Sequence, residues 1–147
     1  MRYPSPGIAP AAACAALLRS RNDLCARVAA LRAQPDDMFM HDFPAVVMAV
    51  EAGFRHEEAL LELLGDAGLH PRRADHAVIL CALHRTVPQV EGGDIALGRQ
   101  VADALDAVLT LPLQTVNVAR AVDRPAGQPA PRHHAGSRQQ RVAARPH

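Results

Sequence analysis

Glu57 and His76 are the residues whose types and places point to chemistry. Between residues 38 and 64, Phe43, Val47, Val50, Phe54, Leu61 and Leu64 recur every three or four positions, and at 57 that rhythm asks for an apolar side chain. Glutamate stands there instead. Its neighbours Glu58 and Glu62 fall off the stripe and read as solvated acids. In the next segment His76 heads the row His76, Leu80, Leu83, Val87. A carboxylate and an imidazole aimed into one core are costly unless paired, hydrogen-bonded or bound to metal. A polar interior site is therefore expected; the bland alternative is a slightly rotated helix with Glu57 at the rim. Arg72 precedes His76 by one helical turn, on the same face. Its guanidinium can pair with Glu57 in a Glu57–Arg72–His76 cluster, or Arg72 can simply start the helix in solvent beside Arg73.

Positioning such a site requires helices, and the composition supplies them. The 147 residues are 49% hydrophobic but only 3% aromatic, with 29 Ala and no Trp, which disfavours β-rich folds and favours helices. Four amphipathic segments follow: 11–33, 38–64, 71–87 and the stretch after Asp94 with Leu97, Val101, Leu105, Val108 and Leu111. Pro35-Asp36-Asp37 separates the first two and offers an N-cap, Gly65 and Gly68 close the second, Pro88 ends the third, and Pro112 stops or kinks the fourth. The expectation is an all-α, up-down-up-down four-helix bundle over residues 11–121, preceded by a flexible N-terminus, 1–10. The text after it, 122–147, is rich in Arg, Pro, Gln and His and predicts a disordered tail.

Charge and cysteines exclude several classes. Residues 1–123 carry 11 Arg against 15 acids, whereas residues 124–147 carry five Arg and no acid. A mildly acidic body with a dispersed basic tail is not a nucleic-acid-binding footprint. All 16 basic residues are Arg, a bias that fits GC-rich coding more than guanidinium chemistry. Cys14, Cys25 and Cys81 lack CxxC spacing and read as small core residues of a reducing compartment. No apolar run suits a membrane span, and the prolines of the first ten residues argue against a signal peptide, so the cytoplasm is expected. Ser5, Ser20 and Ser137 have no nucleophile-elbow glycines and Gly92-Gly93 lacks a phosphate-loop motif, so no enzyme is legible.

The text FRHEEALLELLGDAGLHPRRADH resembles the bacterial hemerythrin-like (HHE cation-binding) proteins, whose second helix carries HFxxEExxM followed, after a glycine-containing turn, by HxxxH. The resemblance covers roughly residues 38–117. It implies a four-helix bundle holding a di-iron centre on five His, one Glu and one Asp, with reversible dioxygen binding or sensing. Carried residue by residue, it places Phe54 on the motif's Phe, Glu57 on the bridging glutamate and His76 on the second His of HxxxH. The remaining positions depart from the pattern: Gly53, Arg72, Pro112 and Asn117 stand where ligands are expected, and no His precedes His41 to serve the first helix. Glu57 and His76 alone cannot hold two irons. The expectation is a hemerythrin-like, non-enzymatic binding protein with most metal ligands lost, so that metal and dioxygen binding are in doubt. The competing expectation is a metal-free interaction module, acting on a protein partner or as a homo-oligomer, or a non-functional remnant. His56 lies about 100° round the helix from Glu57, and His84 about 12 Å beyond His76, so neither rebuilds a site with them. A mononuclear site on Glu57, His76 and one recruited group is the remaining metal alternative; His133-His134 in the tail would bind only weakly.

Overall fold

The computed structural model describes residues 9–111 in four helices: α1 (Pro10–Arg32), α2 (Asp36–Leu63), α3 (Leu69–Glu91) and α4 (Ile95–Thr110). The expectations that fall on Pro112, Asn117, His133-His134 and the tail lie outside the described residues. Connections of a few residues force each helix to return beside its predecessor. The register shows it: Leu17 of α1 packs in one cluster with Leu60 and Leu61 of α2, and His76 and His84 of α3 approach Glu57 and Glu51 of α2 in reverse order. α4 closes the ring on α1, where Cys25 Sγ donates to the Leu109 carbonyl at 3.5 Å and Arg32 reaches Asp103 and Asp106 at 2.8 and 3.0 Å. The described residues form an up-down-up-down four-helix bundle.

Most of the core lies at the end where α1 meets α2. Phe39, Phe43, Val47, Val50 and Phe54 of α2 are buried against Leu24, Val28 and Leu31 of α1, Leu83 and Val90 of α3, and Leu105 and Leu109 of α4. Arg99 fastens this end. Its guanidinium lies over the Phe39 ring at 4.6 Å, donates to the Gln34 carbonyl at 2.8 Å, and pairs with Asp36 at 2.7 Å. Among the described residues no helix is long and apolar enough to cross a membrane.

Three expectations need correction. Pro88 does not end α3, which runs on to Glu91. The ring is exposed so close to the helix end that water can satisfy the carbonyl it frees; α2 carries Pro44, half-buried, in its interior as well. α4 is rotated from its expected stripe: Gly98, Ala102, Leu105 and Leu109 face inward, while Leu97 and Val101 are half-buried and Val108 and Leu111 exposed. The cause is close approach. A Cβ on Gly98 would lie 2.6 Å from Val90 Cγ2 and 2.8 Å from Phe39 Cε1, so the helix turns its smallest residues toward the ring. Gly98→Ala should therefore destabilise the bundle by about 1–3 kcal/mol despite alanine's better helix propensity, read from the urea midpoint. Finally, only Cys14 is a buried core thiol; Cys25 is half-buried, and Cys81 is exposed on the outward face of α3 beside Val78 and Arg85.

Candidate functional site

Three helices bring one carboxylate and two guanidiniums together. Glu57 stands on the buried stripe of α2 between Phe54 and Leu61. Arg21 Nη2 of α1 donates to both of its oxygens, at 3.1 and 3.2 Å, and Arg72 Nη1 of α3 lies 3.2 Å from Oε1. The side chains are only 4% (Glu57), 8% (Arg21) and 11% (Arg72) exposed. A buried carboxylate desolvated without partners would be costly; two cations on one anion supply the compensation. A second layer continues outward, where Arg73 bridges Glu58 at 3.6 Å and Glu62 at 3.4 Å.

His76 completes the group without joining its hydrogen bonds. Its ring lies flat on Phe54, centroids 3.8 Å apart and planes 5° from parallel. Nε2 is 3.9 Å from Glu57 Oε2 and Nδ1 3.6 Å from Glu58 Oε2, beyond hydrogen-bonding distance. Both ring nitrogens and Arg21 Nε are buried with no hydrogen-bond partner. Burial first, then the Arg72 and Arg21 charges, pull the imidazole pKa down to about 4, against a weaker upward pull from Asp75. Neutral histidine is what such a place tolerates.

Glu57, Arg72 and His76 are thus brought together, and one member was missed in the sequence. Arg21 carries the same signal as Glu57: in Cys14, Leu17, Arg21, Leu24, Val28, Leu31 it occupies the apolar rhythm of α1. The other histidines lie elsewhere. His84 pairs with Glu51 at 3.4 Å on the surface, His41 with Asp42 at 3.0 Å, and His56 and His70 are exposed.

Would these residues hold the di-iron centre that the resemblance implies? At Gly53, an added Cβ would meet Leu24 Cδ1 at 2.7 Å, so the room a ligand side chain needs is taken by Leu24. At 72 a permanent cation replaces a donor. Both oxygens of Glu57 already accept from a guanidinium, which would face any metal ion as like charge against like. Among the described residues, no group of three or more His, Cys, Asp or Glu is placed to hold a metal ion. The donor set does not fit two irons. Comparison with family models, with curated proteins and with solved structures returns no match for this chain.

Proposed function

We propose that the chain is a non-enzymatic helical bundle, similar in pattern to the hemerythrin-like proteins, in which two arginines stand in for a metal centre, and that it works as an interaction module. The observation that carries this reading is Glu57 held between Arg21 and Arg72. A charged ligand left without its metal must be protonated, lost or neutralised. Here neutralisation comes from fixed guanidiniums, which also tie α1, α2 and α3 together as a metal would. Three free thiols, none paired with another, suit a reducing cytoplasm.

A metal-binding reading has one observation in its favour: the two buried, unpartnered nitrogens of His76. They do not converge, since one faces Glu57 and the other Glu58, with the ring between. The reading is tested by expressing the full chain with iron supplied, then measuring bound metal and the near-ultraviolet absorption of an oxo-bridged pair. The expected result is no stoichiometric metal and no charge-transfer band. One or two irons per chain would contradict it.

A further inference from the structure

We propose that residues 112–122 continue as a short helix beyond Pro112, docked on the corner that α4 leaves open, and form the fourth wall of the Glu57 cluster. α4 is the shortest of the four helices and stops level with Cys25 of α1, whose Sγ donates to the Leu109 carbonyl. α1 extends past that level through Pro10–Leu24, about 22 Å of helix. On the other side Gly98 meets Val90, so in antiparallel register Leu109 comes level with Ile79, and the turns of α3 bearing His76 and Arg72 lie beyond it. α1 and α3 do not lie side by side; each packs on α2 and on α4. Above Leu109 the corner between them is therefore filled by none of the described helices. Yet Arg21 and Arg72, which meet at Glu57 from those two helices, are only 8% and 11% exposed. Leu18, two turns above Cys25 on the same line of α1, is left 46% exposed at that corner.

The chain itself supplies the occupant. It leaves α4 at the mouth of this corner, where Leu111 is extended (φ −57°, ψ 137°), the conformation favoured ahead of a proline. Pro112 can then open a new helix, because its ring suits the first helical turn. Leu105 and Leu109 are the last inward residues of α4, and Leu113 and Val116 continue their rhythm of three and four. Four and seven residues beyond Leu109, they come level with Arg21 and Leu18 of α1. As a helix, residues 112–122 span about 16 Å, which covers most of the open stretch. Past Asp123 the sequence turns to Arg, Pro, Gln and His with little to bury, so the docked segment ends there. A segment tethered at Leu111 meets the corner at an effective concentration on the order of mM, ahead of a second copy.

Hydrogen–deuterium exchange of the full chain, read by mass spectrometry, tests this. The expected result is that amides of residues 113–122 exchange at least tenfold more slowly than in a free chain, at every protein concentration. Leu113→Asp/Val116→Asp should abolish that protection. So should Leu18→Asp on the opposing wall, with the amides of α2 still protected. Val118→Asp, on the far side of the docked helix, and Met48→Asp, at an exposed site on α2 away from the corner, should leave it intact. Exchange of 113–122 at the free-chain rate in the parent would overturn the proposal. Protection that Leu18→Asp leaves unchanged, or that Val118→Asp removes equally, would place the segment elsewhere and overturn it too. Protection that appears only at high protein concentration would put a second copy in the corner, with the same consequence.

Discussion

Glu57→Ala should be the most damaging single substitution in the chain, lowering stability by about 3–5 kcal/mol. The loss does not measure the strength of the ion pairs. It arises because Arg21 and Arg72 would be left as buried cations with nothing to neutralise them. For a helical core of this size, each kcal/mol moves the melting temperature by roughly 4–8 °C, so the midpoint should fall by at least about 12 °C. Changing all three members together should behave differently. In Arg21→Met/Glu57→Leu/Arg72→Met no charge remains to be stranded, and stability should match or exceed that of the parent. Thermal and urea unfolding followed by circular dichroism reads both. A single Glu57→Ala costing under about 1 kcal/mol would mean that the cluster is solvated and holds nothing together.

The second large effect is a dependence on pH. His76 in the folded chain titrates near 4, well below its ordinary value of 6.5. Between those values the unfolded chain binds a proton that the folded chain refuses, so stability falls as pH falls. The contribution is complete above about 6.5 and is lost progressively down to about 4, amounting to about 3 kcal/mol at most. Glu57 and Glu58 face the ring from α2, Arg21 from α1, and Arg72 and Asp75 belong to its own helix. His76→Gln isolates the histidine, because its difference from the parent should shrink steadily over the window while other groups contribute equally. Parallel stability–pH curves for the two proteins would sink this assignment.

What was legible in the sequence follows from how each feature is encoded. Helical rhythm marked α2 almost completely, since its stripe of Phe, Val and Leu faces three neighbours at once. The break at Glu57 was visible because the stripe positions on either side of it, Phe54 and Leu61, are apolar. Arg21 breaks the α1 stripe in the same way, but that stripe is diluted by alanine and cysteine, and an arginine within it reads as surface. The rotation of α4 was not legible. It depends on Gly98 pressing on Phe39 and Val90, a contact between three helices rather than a pattern within one. Pro88 misled for a local reason: the donor it removes and the carbonyl it frees lie near the end of α3 on a solvent-facing turn, where water can take their place. The environment of His76, flat on Phe54 and out of reach of either carboxylate, is likewise a product of packing.

On the proposed reading, guanidinium charge and not metal neutralises Glu57. The most direct test is the melting temperature of the full chain with a chelator, compared with the same protein in excess iron(II) or zinc(II). A ligand that binds the native state must stabilise it by RT ln(1 + [L]/Kd), whatever its spectrum. Coincident melting curves under all conditions are the expected result. A rise of several degrees with metal, abolished by Glu57→Gln, would show that an ion takes the place assigned to Arg21 and Arg72 and would contradict the account.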